Sequence, residues 1–285
     1  MSKQNITLCI DLGGTHCSSI LINRREERVV EGSYFRGDVN SNASRQEILS
    51  QIEHVIHKTL SKYKISPSEM IVSCPGPFDY QNGISLMDGM NKYQDLLNYN
   101  LKDHFSDILG INSGYIHFYN DATAFLLGEI YCRKIQRQCV VGLTLGTGLG
   151  SSIYENGKVR DLNYGSASFA GGIAEDFIST RGMLAHLQGL FGEVSVDNIK
   201  KLVDEESLAR ERKEVFDFLS RNLSLFIKRY IVPLSPDLIV IGGSIAKAHM
   251  YFYKSLNIPQ GQNIEIASFD ERNLFLGLTF IPEHP

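Results

Sequence analysis

Two glycine-rich segments of this chain each contain a threonine and each follow a short apolar run. They consist of Gly13, Gly14 and Thr15 in the first segment and of Gly146, Thr147 and Gly148 in the second. Glycine has no Cβ, so its backbone can approach a bulky anion and donate N–H groups to it. A glycine pair between two strands is also common in an ordinary hairpin turn. Because the pattern occurs twice, we favour a cradle that holds a polyphosphate from two sides.

The glycine spacing argues against two common nucleotide-binding motifs. The chain contains no GxxxxGK[ST] segment, so it is not a P-loop enzyme. Neither glycine segment matches a GxGxxG that opens a helix, which disfavours a Rossmann dinucleotide site.

Two aspartates lie where they could act on a bound polyphosphate. Asp11 stands at the mouth of the first glycine segment, where a carboxylate facing phosphate needs a cation such as Mg²⁺, reached through water. A turn aspartate that bonds its own backbone is the alternative. Asp121 follows Asn120 after a predicted strand and could accept the proton of an attacking hydroxyl, as phosphoryl transfer requires. Helix capping is the alternative interpretation of Asn120 and Asp121.

Gly242 and Gly243 follow another apolar run nearer the C-terminal end. Their bare backbone would let the flat base or the ribose of a nucleotide lie against it. A tight junction between a strand and a helix uses glycines equally well, so both interpretations remain open.

The spacing of apolar residues predicts an α/β protein whose two halves repeat one order of elements. In the first half we predict strands at residues 6–12, 18–22, 29–35 and 70–74, and a helix at 45–63. In the second half we predict strands at 115–119, 140–145, 151–154 and 238–241, and helices at 122–132, 173–190, 212–230 and from 244 onward. The repetition suggests two related lobes, at residues 1–119 and 120–271.

The composition disfavours nucleic acid and membrane as partners. The 285 residues include 28 Lys and Arg against 32 Asp and Glu, and no basic run marks a nucleic-acid footprint. No apolar run approaches the length of about 20 residues that spans a bilayer. Five cysteines without a CxxC pair, and no recognisable signal peptide, indicate reduced thiols in a cytoplasmic protein.

Five segments, taken together and in this order, resemble the ROK family of sugar kinases and repressors. They are IDLGGTH, CPGPFDYQNGI, NDATAFLLGE, LTLGTGLGSSIYENGKV and SPDLIVIGGSIA. The resemblance implies a two-lobed actin-like, ribonuclease H-like ATPase fold with a cleft between the lobes, and residues 272–285 packed back on the first lobe. It implies ATP and Mg²⁺ as cofactors, with ATP phosphates at the two glycine segments. It also implies Asp121 as general base and sugar contacts from Gly76, Asn91 and Asn120.

The chain departs from the family pattern on the sugar side. ROK kinases usually continue from the second glycine segment into GExGH and a zinc loop, CxCGxxGCxE, whereas this chain passes from Gly171-Gly172-Ile173-Ala174 directly into EDFIS. The cysteines are absent, so we expect no zinc, and we expect residues 165–178 to fold directly onto the second lobe. Glu175 aligns either with the family histidine or with the glutamate that closes the zinc loop. We prefer the second alignment and expect Glu175 to reach the sugar.

These features predict a kinase that uses ATP and Mg²⁺ to phosphorylate a hydroxyl of a hexose or amino-hexose. The reduced sugar loop leaves open a non-catalytic ROK-like protein that binds a sugar or nucleotide as a regulator, or an ATPase that acts on a non-sugar substrate. Only five residues precede the first strand, so we do not expect the DNA-binding domain of the repressor branch. The expected partner is a small-molecule sugar, and a homodimer is compatible with the sequence.

Overall fold

The computed structural model describes residues 5–63, 66–89, 92–192, 196 and 198–281. The strands are β1 (Ile6–Leu12), β2 (His16–Asn23), β3 (Arg28–Val29), β4 (Phe35–Asp38), β5 (Glu69–Cys74), β6 (Phe78–Asp79), β7 (Ile84–Ser85), β8 (Ile116–Asn120), β9 (Val140–Leu145), β10 (Leu149–Glu155), β11 (Lys158–Asp161), β12 (Ser168–Phe169), β13 (Gly172–Ile173), β14 (Leu238–Gly242) and β15 (Ile264–Ile266). The α-helices are α1 (Arg45–Ser61), α2 (Leu101–Leu109), α3 (Asp121–Arg133), α4 (Thr180–Phe191), α5 (Ile199–Asp204), α6 (Ala209–Phe226) and α7 (Glu271–Phe280).

The described residues form two compact units. The first contains the residues up to Cys132 together with those from Glu271 onward, and the second contains Arg133–Asp270. Nearly all of α3 therefore belongs to the first unit, whereas the boundary predicted from the sequence places this helix in the second lobe.

The sheet of the first unit has the strand order β3-β2-β1-β5-β8, with β4 paired to β2. β1 and β2 form an antiparallel hairpin, and β5 and β8 continue the sheet as strands parallel to β1. Parallel strands end at the same edge of a sheet, so the segments that follow β1, β5 and β8 come together there.

The sheet of the second unit has the order β11-β10-β9-β14-β15. Its hairpin is β9 with β10, and β14 and β15 again continue as parallel strands. The two sheets share the same arrangement, which confirms the repeated order of elements predicted from the sequence.

Each unit has its own apolar core. In the first unit, side chains of β1 such as Leu8 and Ile10 are buried in one cluster with Ile48 and Ile52 of α1. In the second unit, strand residues such as Val141, Leu143 and Ile239 are buried with Leu219 and Leu223 of α6. In the part of the chain that the structure describes, no helix is both long and apolar enough to cross a membrane.

Three predicted elements differ from the structure. The helix predicted from residue 244 onward is not an α-helix, because the chain there forms 3-10 turns at Ile245–Tyr251, with non-helical backbone angles at Ala248, and at Tyr253–Ser255. The strand predicted at 29–35 is interrupted, because the chain turns at Gly32 (φ 71°) between β3 and β4. The helix predicted at 173–190 begins only at Thr180, after β13 and a 3-10 turn at Ala174–Asp176. Ser179 caps α4 by accepting a hydrogen bond from the backbone N–H of Gly182 at 3.2 Å.

α3 and α7 cross with their backbones in contact. A Cβ on Gly277 would lie 2.3 Å from the Gly128 nitrogen, and a Cβ on Gly128 would lie 2.7 Å from the Leu274 nitrogen. Only glycines permit this approach, which fixes the axis of the helix that begins at Asp121.

Candidate active site

The first glycine segment forms the turn between β1 and β2 and is held on both sides. The Gly13 N–H donates to the carbonyl of His16 at 2.8 Å, and the Val39 N–H donates to the carbonyl of Thr15 at 3.0 Å. A Cβ on Gly13 would lie 2.6 Å from the His16 ring, whereas a Cβ on Gly14 would meet nothing within 4 Å. Gly14 and Thr15 are exposed. The turn therefore leaves its middle residues open to an anion.

Asp11 lies at the carboxyl end of β1, opposite Ser18 of β2 and Ser73 of β5. Burial raises the pKa of the Asp11 carboxyl to about 6, and the negative charges of Asp121 and Glu271 add to the rise. The hydroxyl of Ser73 and the guanidinium of Arg36 oppose it. A carboxylate whose charge is unfavourable in the protein alone gains from a nearby cation.

Asn120 and Asp121 both contact the start of α3. The Oδ1 atom of Asn120 accepts hydrogen bonds from the backbone N–H groups of Ala122 (2.9 Å) and Thr123 (3.2 Å), so Asn120 caps α3. Asp121 is the first residue of the helix and is exposed. Its Oδ1 atom also accepts from Ala122 N–H, at 2.9 Å. Asn120 therefore binds both of these N–H groups, and Asp121 shares the contact with Ala122.

Gly76 lies close to Asn120 and a tyrosine. A Cβ on Gly76 would lie 3.1 Å from the Tyr80 hydroxyl oxygen and 3.9 Å from the Asn120 Nδ2 atom. The Asn120 side chain donates from Nδ2 to the Tyr80 hydroxyl at 3.1 Å. Two of the predicted sugar contacts thus come together, and Asn91 lies outside the described residues.

The second glycine segment forms the turn between β9 and β10, beside the start of α4. The Gly146 N–H donates to the Gly148 carbonyl at 3.0 Å, and the Gly146 carbonyl accepts from the Thr180 N–H at 2.8 Å. Thr147, at the tip of the turn, is exposed. This turn and the first residues of α4 are therefore fixed to each other.

Glu175 packs against the second glycine segment. A Cβ on Gly148 would lie 2.9 Å from the Glu175 Oε2 atom, and one on Gly165 would lie 3.5 Å from it. The other carboxylate oxygen, Oε1, is 3.1 Å from the Arg181 Nη2 atom. A side chain at position 148 would collide with the Glu175 carboxylate, so Glu175 alone is a sufficient structural reason for a glycine there.

Gly242 and Gly243 lie beside the same turn. Gly243 has a φ of 86°, and a Cβ there would lie 2.3 Å from the Leu145 carbonyl oxygen at the end of β9. A Cβ on Gly146 would lie 3.6 Å from the Ser244 hydroxyl oxygen. The close approach to Leu145 is a structural reason for a glycine at position 243. The two glycines also lie near Gly146 and therefore near the predicted phosphate site.

Aromatic residues pack around the segment that replaces the zinc loop. Phe169 lies 5.5 Å from Phe177 between ring centroids, and Phe177 lies 6.4 Å from Phe218 of α6. The ring of His186 stacks on Phe218 at 3.9 Å. With Ala174 and Ile178 buried, residues 165–178 do fold onto the second unit, as the sequence predicts.

The model of the ROK family matches residues 7–174 of this chain, more than half of its length. The chain belongs to the ROK family. The match confirms the membership that the five sequence segments predicted.

Named relatives of this ROK protein are sugar kinases that match over most of their length. The N-acetyl-D-glucosamine kinase of Histophilus somni is 24% identical over 276 residues, with 86% of each chain covered. The N-acetylmannosamine kinase of Escherichia coli O6:H1 is 25% identical over 265 residues, with 87% of this chain and 86% of the relative covered.

Solved structures show the fold. The inorganic polyphosphate/ATP-glucomannokinase from Arthrobacter sp. strain KM superposes with a TM-score of 0.70 at 21% identity and covers 96% of both chains. A ROK family glucokinase from Streptomyces griseus, in complex with glucose and AMPPNP, superposes with a TM-score of 0.69 at 19% identity and covers 96% of this chain and 98% of that one. The predicted actin-like ATPase fold is confirmed.

Three residues at these sites escaped the sequence analysis of this ROK protein. Tyr80 and Tyr93 approach the first unit's site residues, and Arg181 approaches Glu175. The chain has 13 tyrosines, so the sequence offered no reason to assign Tyr80 and Tyr93, rather than the others, to a site. Arg181 lies six residues after Glu175, inside a region that the sequence predicted as continuous helix.

Proposed function

We propose that this ROK protein transfers a phosphoryl group from ATP, with Mg²⁺, to a hydroxyl of a hexose or amino-hexose. One observation supports this proposal most strongly. Asn120 caps α3, whereas the neighbouring Asp121 has an exposed carboxylate near Asp11 at the same edge of the sheet. An acid in this position can serve as the general base.

The reaction then needs little covalent participation from the protein. Asp121 accepts the proton of the sugar hydroxyl as the hydroxyl oxygen attacks the terminal phosphorus, and the bond from that phosphorus to the bridging oxygen breaks to release ADP. The phosphate ligands proposed in the first unit are Gly13, Gly14 and Thr15. Those proposed in the second unit are Gly146, Thr147 and Gly148, with Gly242 and Gly243 beside the nucleoside.

Asp11 fits the requirements of a Mg²⁺ ligand that acts through water. It is a carboxylate three residues before the open Gly14, and its charge is disfavoured by burial. Mg²⁺ in nucleotide sites typically uses one or two carboxylates plus waters and phosphates. When bound, Mg²⁺ would offset the negative charge that develops on the phosphates. With a pKa of about 6, Asp11 is ionised at neutral pH and is available to hold the hydrated cation.

On the acceptor side we propose Gly76, Asn91, Asn120 and Glu175 as sugar contacts. The names of the relatives point first to N-acetylglucosamine and N-acetylmannosamine, and then to glucose and mannose. The second candidate function is a non-catalytic sugar- or nucleotide-binding regulator. It is favoured by the engagement of Glu175 with Gly148 and Arg181.

An ADP-release assay with ATP, Mg²⁺ and a panel of hexoses, N-acyl hexosamines and their glycosides separates the two functions. The kinase predicts ADP release that depends on one class of sugar and stays at background without sugar. Binding of a sugar or of ATP by calorimetry, without ADP release for any member of the panel, would instead establish the regulator.

A further inference from the structure

Arg181 lies on the first turn of α4, directly after the residue that binds the second glycine turn. Its neighbour Thr180 donates from the backbone to the Gly146 carbonyl at 2.8 Å. The guanidinium Nη2 atom of Arg181 lies 3.1 Å from both Glu175 Oε1 and Asp176 Oδ1. Because Glu175 Oε2 packs on Gly148, one carboxylate group separates the guanidinium from the glycine turn.

Glu175 and Asp176 both contact the same nitrogen of the Arg181 guanidinium, and most of the side chain is exposed. The side chain of Arg181 is 61% exposed, and both of its ion pairs use Nη2. Arginine has five N–H donors in a planar fork, and those on Nε and Nη1 take no part in these two ion pairs. Asp176 is itself positioned, since its Oδ2 atom accepts from the Ile173 N–H at 3.1 Å.

A polyphosphate at this turn would need a cation between it and the Glu175 carboxylate. Glu175 and Asp176 contribute two negative charges against the single positive charge of Arg181. A polyphosphate on the Gly146–Gly148 turn would face the Glu175 carboxylate at short range, which is unfavourable unless a cation is shared between them. Arg181 already contacts Glu175, and its planar fork can bind carboxylate and phosphate alike.

We propose that Arg181 is a ligand of the donor phosphates, and that Glu175 and Asp176 orient its guanidinium toward the Gly146–Gly148 turn. This inference rests on the proposed kinase function and adds a phosphate-binding side chain to it. It also gives Glu175 a positioning role on the donor side, in addition to the sugar contact proposed above.

Calorimetric titration of the whole protein with AMPPNP and, separately, with adenosine tests the assignment without requiring turnover. We expect Arg181→Met to weaken AMPPNP binding by about tenfold or more, the scale of a lost charge-assisted contact, and to leave adenosine binding unchanged. Arg181→Lys should recover part of the loss, because it restores the charge without the fork. Arg160→Met, at an exposed arginine on β11, is the matched control and should bind AMPPNP as the wild type does.

Other outcomes would overturn the assignment in distinguishable ways. If the Arg181→Met variant binds AMPPNP with the affinity of the wild type, then Arg181 only stabilises the segment that contains Glu175 and Asp176, through its ion pairs. An equal loss for AMPPNP and adenosine would show that it supports the fold of the site rather than the phosphates. If the wild type binds no AMPPNP at all, the proposed ATP-dependent function fails together with this role of Arg181.

Discussion

The hydroxyl of Tyr93 donates a hydrogen bond to the backbone carbonyl of Gly13 at 2.5 Å. The Tyr93 side chain is buried, with 1% exposed, and its backbone φ is 52°. Its own N–H donates to the Ser41 carbonyl at 2.6 Å. Gly13 thus has both backbone polar groups occupied, which holds the turn in the shape that leaves Gly14 and Thr15 open.

Tyr93→Phe removes this hydrogen bond and keeps the ring. We expect the KM for ATP to rise several-fold, since a hydrogen bond contributes about 1 kcal/mol, with little change in the KM for the sugar. Tyr99→Phe is the control, because it removes a hydroxyl that contacts His104 rather than the turn. Steady-state kinetics with each substrate varied in turn provides the measurement. Equal changes in the ATP KM of both variants would refute a positioning role for Tyr93.

Asp121→Asn should abolish most turnover and leave the fold intact. The amide cannot accept the hydroxyl proton, so we expect kcat to fall by about two decades or more. Thermal stability should change little, because Asn120 caps α3. Asn120→Ala provides the contrast and should cost about 1 kcal/mol of unfolding free energy through the lost cap. Wild-type turnover in Asp121→Asn would exclude Asp121 as the base.

Asp11→Asn should stabilise the protein while removing activity. The folded-state pKa of about 6 lies above the ordinary 3.8, so the protonated form is favoured in the fold. The buried charge therefore costs stability above pH 6, and that cost disappears as the pH falls through 6 toward 4. We expect Asp11→Asn to melt at a higher temperature than the wild type at pH 8, with the difference shrinking to nothing near pH 4.

The Mg²⁺ concentration that gives half-maximal activity should rise as the pH drops below about 6, because Mg²⁺ then competes with the proton that Asp11 takes up in the metal-free protein. Melting curves and Mg²⁺ titrations of activity over this range provide the measurements. A lower melting temperature for Asp11→Asn at pH 8 would mean that the charge is already compensated within the protein.

The aromatic packing of residues 165–178 predicts that the fold needs no zinc. We expect no stoichiometric zinc by elemental analysis, and unchanged circular dichroism and melting temperature in EDTA. Kinase activity should stop in EDTA, because Mg²⁺ is removed, and should return when Mg²⁺ alone is added. Phe169→Ala, by contrast, should destabilise the protein by about 3 kcal/mol or more, because this side chain is buried in the core of the second unit. One tightly bound zinc per chain would overturn this account of the loop.

The strands that carry the two glycine turns were predictable from the residue pattern alone. β1 and β9 match their predicted bounds, because a continuous run of β-branched and apolar residues that ends at glycines has few alternatives to a buried strand. The order of motifs was also sufficient for the family and hence the fold, since five segments in one order are far more specific than any one of them.

Hydrogen-bond partners that are far apart in the sequence could be identified only from the folded chain. Asn120 and Asp121 are both suited to capping, and in the structure both accept from the Ala122 N–H while Asn120 also reaches the Thr123 N–H. The hydrogen bond from Tyr93 to Gly13 joins residues 80 positions apart, and Glu175 meets Gly148 across a segment that the sequence predicted as helix. Apolar spacing reports which side chains are buried, but hydrogen-bond partners depend on where the folded chain brings distant polar groups together.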